Sequence, residues 1–370
     1  MNYMRCTVNA DEFRQALDKA LMAAAKKSPL PFMEEALVRF DGNTCTLTCT
    51  NLELWCQTAI PAQGQPCAFV LTDSRKLLAA CKYFSGELWI TYGEDDPPKT
   101  FPTKTDLDGS LILTCGNKEL RQRVTTAGDF PEMPEVKAEH SYKVDPSALS
   151  KRFDRIKYAL CTDTNRPTGC CVKFFDSRIG AVDGHRLAAS RDESLQVEKP
   201  FHIPPAAMKL LPIFDGAECR LSVGERFAAF DGGAVRMLVR MPQGDSLDFD
   251  KAIPVSCKEE HPVDIADFMD NLRYLNEFIR FPSREYIRFE YGVLSVETAK
   301  GSYSSKPKLA EIPVTVCGFN GSYMLDSLKQ FQAKKLATVT MRMTSAFAPI
   351  VMSDGEDLAM VLPMRMSKAA

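Results

Sequence analysis

Asp183, His185 and Arg186 sit together around Gly184 in the stretch AVDGHRLAAS (Ala181–Ser190), with apolar residues on both sides. If this stretch is a strand, residues two apart share a face, so Asp183 could orient the His185 imidazole for general-base chemistry. A covalent site would also need a nucleophile, and the nearest thiols are those of the adjacent Cys170 and Cys171. Two other readings stay open. One is a tight turn whose histidine and arginine are satisfied structurally. The other is a recognition surface that uses both.

The rest of the chain offers little catalytic apparatus. It contains no G-x-x-x-x-G-K-[ST] phosphate loop, no G-x-G-x-x-G turn, no H-E-x-x-H zinc motif and no G-x-S-x-G elbow. Its 13 cysteines are scattered without a Cys-x-x-Cys pair, and none of the four histidines neighbours a cysteine cluster. Zinc binding is therefore not expected, and neither is any cofactor; the thiols read as buried and reduced. The N-terminus lacks a signal-peptide core, and no run of 18 apolar residues occurs, so a soluble intracellular protein without membrane contact is expected.

The elements that must position AVDGHRLAAS repeat along the chain. Three segments read as a strand, a capping residue and an amphipathic helix: CTVNADEFRQALDKAL, YKVDPSALSKRFDRIKYAL and HPVDIADFMDNLRYLNEFI. In the second, Asp145 suits the N-cap and Pro146 the first helical position. Leu149, Phe153, Ile156 and Leu160 then form one apolar face. Phe268, Leu272, Leu275 and Ile279 do the same in the third, and Phe13, Leu17, Ala20 and Ala24 in the first. Each unit adds a second strand-to-helix element: FVLTDSRKLLAACKYF, FHIPPAAMKLLPIF and GFNGSYMLDSLKQF. Strand-like alternations lie between. The period of roughly 120 residues matches an ordinary domain. Polar, proline- and glutamate-rich stretches mark the joints, giving domains 1–138, 139–257 and 258–370 of an α+β fold, each with two helices and many strands.

Formal net charge is −2, yet basic residues concentrate on the helices while acidic ones gather in turns such as YGEDDPP and DGED. Lys19 and Lys26, with Lys27 following, mark the first helix, and Arg75 and Lys82 the next. Lys151, Arg152 and Arg155 lie on the second long helix, Arg273 on the third, and Lys329 and Lys334 at the last. Each set by itself is an ordinary solvated face. Gathered on one surface they would attract phosphate backbones without reading bases. No aromatic residues interleave with them, which argues against single-strand stacking. The terminal LAMVLPMRM (Leu358–Met366) reads as a core strand, or, with its flexible thioethers, as part of an apolar partner groove.

VDGHRLA (Val182–Ala188) followed much later by LPMRM (Leu362–Met366) resembles the beta sliding clamp family of bacterial DNA polymerase III. PLPFMEEALVRF with LTCTNLEL, AGDFPEMP and FNGSYMLDSL add similarity in the same order along essentially the whole chain. The resemblance implies three clamp-type domains per subunit and two subunits closed head to tail into a dimeric ring. It implies helices around encircled double-stranded DNA, a processivity role without catalysis, and a cytoplasmic, nucleoid-associated location. It further implies a groove that takes short linear peptides from DNA polymerase, the clamp loader and repair proteins. By position, that groove would use Val182, Gly184, His185, Arg186 and Leu187 from the turn. Tyr323, Phe347, Pro349, Met360, Leu362, Pro363, Met364 and Arg365 would come from the last domain.

Two stretches depart from the family pattern. SLDFDK (Ser246–Lys251) has Leu247 where proline is usual and Lys251 where arginine is common, and TDTNRPTGC (Thr162–Cys170) lacks the usual aromatics. The edge LRQRVTT (Leu120–Thr126), with the region of Phe278 and Phe281 as counterpart, is the expected dimer seam. Two alternatives remain: a clamp-fold peptide binder dedicated to repair or to a mobile element's polymerase, and an enzyme built on Asp183, His185 and a cysteine.

Overall fold

The computed structural model describes residues 3–94, 108–244, 247–254, 256–279 and 285–366. Ser246, Arg280 and Phe281 lie outside the described residues. Seven α-helices occur among them: α1 (Ala10–Leu21), α2 (Ser74–Cys81), α3 (Pro146–Ile156), α4 (Pro205–Leu210), α5 (Phe249–Ala252), α6 (Ile265–Asn276) and α7 (Gly321–Ala333). Six of these are the strand-to-helix elements expected from the repeat. The strands Tyr3–Asn9, His140–Val144 and Glu259–Asp264 lead into α1, α3 and α6. Strands Cys67–Val70, Val197–Ile203 and Cys317–Phe319 lead towards α2, α4 and α7.

The caps have local causes. Asn9 accepts from the amides of Asp11 and Glu12, Asp264 from that of Asp267, and Asn320 from those of Ser322 and Tyr323. Asp145 accepts from the amide of Ser147. Each satisfies helix N–H groups that have no intrahelical partner. The expected apolar faces are buried at Phe13, Leu17, Ala20, Leu149, Phe153, Ile156, Phe268, Leu272 and Leu275.

Helix α1 is shorter than its apolar pattern suggests. It stops at Leu21, so Ala24 and Lys26 are not on the helix but in the following loop with Lys27. Pro29 disfavours helical backbone just before it, and the amide of Ala25 donates instead to the Met33 carbonyl. Ile279 likewise lies beyond the end of α6, packed against the core.

The chain divides into two compact units. One comprises Met1–Ser147 with Lys209–Met241, the other Ala148–Met208 with Pro242–Ala370. The first contains a 12-stranded sheet and the second an eight-stranded and a four-stranded sheet. Every ladder among the described residues is antiparallel. These ladders explain the units. Strand Leu54–Gly64 pairs with Val235–Arg240, from Thr58 opposite Val235 to Leu54 opposite Val239. Strand Arg186–Arg191 pairs with Asp357–Val361. Sheets therefore run across positions 138 and 257, and each unit joins part of the middle stretch to one flanking stretch.

In the second unit α6 and α7 pack over one core with Ile287, Phe289, Leu294, Val339, Met341 and Met352. Burying each such side chain contributes about 1.5–3 kcal/mol. All 13 thiols are free and nine are buried. Among the described residues no helix is long and apolar enough to cross a membrane.

Candidate functional site

The two sequence motifs meet in the second unit. Strands Arg178–Val182 and Arg186–Arg191 form a hairpin with Val182 opposite Leu187. Its second strand pairs with Asp357–Val361, placing Leu187 opposite Met360 and Arg186 opposite Val361. Beyond that ladder the Leu362 amide donates to the His185 carbonyl (2.9 Å), and the Met364 amide to that of Gly318 (2.7 Å). Gly184 has φ +89°, left-handed backbone that glycine adopts without strain.

Asp183 builds this turn. Its Oδ1 accepts from the amides of His185 (2.9 Å) and Arg186 (3.0 Å), and its Oδ2 from Arg186 Nε (2.9 Å). Arg186 also donates to Asp326 Oδ2 on α7 (2.7 Å) and lies over the rings of Tyr323 (4.5 Å) and Tyr158 (5.3 Å). The exposed His185 ring stacks on Tyr323, centroids 5.8 Å apart. Asp183 is thus committed to Arg186 and the backbone rather than to an imidazole. Burial pushes the Cys171 thiol up to about 12 and raises that of Cys170, so neither is an activated thiolate. These features oppose the enzymatic reading.

Leu187 and Met360 are buried with Phe175, Ala189, Phe249 and Val351 beneath the turn. Above this layer Leu362 and Arg365 are exposed, while Pro363, Met364 and Tyr323 are half-buried. Phe347 stands 82% exposed on the loop that also carries half-buried Pro349. Lys251, on α5, is exposed and pairs with Asp248 (3.2 Å). The turn, the chain end and the start of α7 therefore converge on apolar surface with polar margins, the composition that suits a peptide.

A pocket of about 490 Å³ opens beside the turn. Val182, Gly184 and Leu247, all assigned to the groove by the resemblance, line it, and so do Arg166, Lys173, His202 and Phe249. Sequence reasoning missed these last four. Helix α5 was missed as well, although Asp248 is an N-cap signal and accepts from the amides of Asp250 and Lys251. Phe249 fits only because its partner is glycine: a Cβ on Gly180 would lie 2.3 Å from the Phe249 ring. Gly180→Ala is therefore expected to overpack this layer and cost about 1–3 kcal/mol, read by thermal denaturation. An unchanged melting point would contradict this packing.

The basic helix residues divide into two groups. Exposed Lys26, Lys27, Lys82, Lys151 and Arg273 have no ion-pair partner among the described residues. The others are engaged. Lys19 pairs with Asp215 (2.6 Å) and Lys329 with Asp326 (2.8 Å), while Arg75 donates to the carbonyls of Glu34 and Ala25. Arg152 contacts Asp192 (3.2 Å) and Glu356 (2.5 Å), and Arg155 contacts Glu356 (3.2 Å) and Asp357 (3.0 Å). Lys334 joins Asp354, Glu356 and Asp357. Burial raises the Glu356 carboxyl, but donors from Lys334 and Arg152 outweigh this and hold it at about 2. Arg152, Arg155 and Lys334 are thus largely neutralised within the unit.

Among the described residues, two stretches of sheet bear on the expected seam. Strand Lys118–Thr126 pairs along one side with Gly109–Cys115, but on the other only Thr125 and Thr126 reach Cys67–Val70. Its charged Lys118, Glu119 and Arg121 suit an edge that must avoid indiscriminate pairing. In the second unit, strand Gly301–Ser305 ends the four-stranded sheet. Phe278, just past α6, stacks on its Tyr303 with centroids 3.7 Å apart.

No family model matches the chain. It is 20% identical over 387 aligned residues to a beta sliding clamp of Streptococcus pneumoniae, covering 97% of this chain and 98% of that protein. The DNA polymerase sliding clamp structure from Bacillus subtilis superposes with a TM-score of 0.81 at 18% identity, covering 99% of this chain and all of that one. A beta sliding clamp structure from C. crescentus gives 0.80 at 18%, with the same coverage. Over its whole length the chain has the fold of these proteins.

Proposed function

We propose that this chain, which has the sliding-clamp fold from end to end, is a DNA sliding clamp. It is a non-catalytic processivity factor that encircles duplex DNA and tethers a replicative polymerase. The observation that carries this reading is the likeness to beta sliding clamps over nearly the whole chain, 97% of it by sequence and 99% by structure. In this reading the repeats 1–138, 139–257 and 258–370 are three clamp domains. Two copies close head to tail through the edge at Leu120–Thr126 and the region of Phe278. The protein works in the bacterial cytoplasm.

The surface around Val182, His185, Tyr323, Leu362 and Met364 serves as the groove for short peptides of polymerase, clamp loader and repair proteins. Lys26, Lys27, Lys82, Lys151 and Arg273 supply weak phosphate contacts; the internally paired Arg152, Arg155 and Lys334 contribute less. Few strong, sequence-reading contacts suit a protein that must slide. A specialised clamp for repair or a mobile element's polymerase is the second reading, favoured by Leu247 and Lys251 at the groove margin.

Sedimentation equilibrium tests the ring. The account expects a species of twice the 41.2 kDa chain mass at micromolar concentration. A monomer under those conditions would contradict it.

A further inference from the structure

Lys173 is only 7% exposed, in the buried strand Val172–Asp176. Its ladder neighbours are Gly180 on one side and His202 on the other. The ammonium makes one hydrogen bond among the described residues, to the Leu247 carbonyl (2.5 Å). It also lies 5.1 Å from the Phe249 ring centroid and 5.6 Å from that of Phe175. An ammonium carries three donors, so two remain, and Lys173 lines the 490 Å³ pocket beside the turn.

Among the described residues no carboxylate stands within ion-pair distance of it; Asp248, Asp250 and Asp176 act on it only from further away. Asp183 is held by Arg186, Asp248 by Lys251 and the α5 amides, and Asp250 lies 3.6 Å from Arg178. His202 adds no second cation: burial, with Lys173 nearby, pushes it down to about 4, so it is neutral at physiological pH. Arg166 lines the same pocket, its guanidinium 3.5 Å from where a Gly184 Cβ would stand. A buried cation without a close counter-charge is costly, and a ligand that brings one reduces the cost.

We propose that this pocket is an acid-selecting subsite of the groove, taking the carboxylate side chain of an aspartate or glutamate on a partner peptide, with Lys173 as its counter-ion. Val182 and Gly184 belong to both pocket and turn, so a residue within a groove-bound peptide projects into it. The inference rests on the peptide-groove reading and adds a preference to it.

A positional-scanning library of N-acetylated, C-terminally amidated hexapeptides tests it, since only side chains then carry charge. The intact protein, Lys173→Met and Lys173→Arg are compared, with thermal melts as the control for folding. The expected result is enrichment of Asp or Glu at one position by about tenfold, the size of a charge-assisted hydrogen bond. K173M loses that enrichment while still binding apolar peptides, and K173R keeps it. Binding without acidic enrichment, or enrichment unchanged in K173M, overturns this inference and leaves the groove standing. Failure of every peptide to bind overturns the groove reading and this inference with it. If K173M does not fold, a wild-type scan without acidic preference still refutes the subsite.

Discussion

Arg186→Ala is expected to lower the melting temperature of the unit that contains the turn by about 8 °C, corresponding to about 3 kcal/mol. The guanidinium bridges Asp183 (2.9 Å) and Asp326 (2.7 Å), with only 13% of its side chain exposed and 15% and 31% of theirs. Removing it leaves the partly buried Asp183 without its charged partner and Asp326 with Lys329 alone, and empties the space over Tyr323 and Tyr158. Arg186→Lys should recover only part of the loss, because one ammonium cannot reproduce a planar fork spanning two carboxylates. Burial raises the Asp326 carboxyl, but hydrogen bonds from Lys329 and Arg186 outweigh it and hold it below the ordinary 3.8. A depressed carboxyl contributes stability that is fully present above 3.8 and is lost as pH falls through the depressed value. The gap between wild type and R186A should therefore narrow below about pH 4. Equal melting points at pH 7 would contradict the bridge.

Deleting Met364–Ala370 is expected to weaken binding of a peptide from the cognate polymerase by about 100-fold, or 2.7 kcal/mol, with the fold preserved. Met364 and Arg365 lie beyond the last strand, which ends at Val361. The cut removes the Met364 bond to the Gly318 carbonyl and the packing of Met366 over Gly318, but leaves the Leu362 bond to His185. Fluorescence anisotropy with the labelled peptide measures the loss, and circular dichroism checks the fold. Unchanged affinity would refute the assignment of the chain end to the groove.

Much of the fold is local and hence legible. Asn9, Asp145, Asp264 and Asn320 announce helix starts through side chains that satisfy amides two or three residues on. Other features are not local. The ladder joining Arg186–Arg191 to Asp357–Val361 follows from no short-range signal; only the resemblance of both motifs to one family suggested that they belong together. The basic helix residues were read as one charged class. Arg152, Arg155 and Lys334 differ from Lys151 because Glu356 and Asp357, far along the chain, reach them. Lys173 was passed over between valine and phenylalanine. The signal was there: a lysine inside the apolar run CVKFF must either leave the core or find a partner.

The central claim is topological, and the most direct measurement is retention on DNA before and after a circle is opened. The protein is loaded by a clamp loader onto nicked circular duplex, separated from free protein, and the circle is then cut once. An encircling clamp stays on the closed circle and runs off the linear product, leaving it bare. Equal retention on circular and linear DNA would mean attachment by surface contacts rather than by a ring, and would contradict the account.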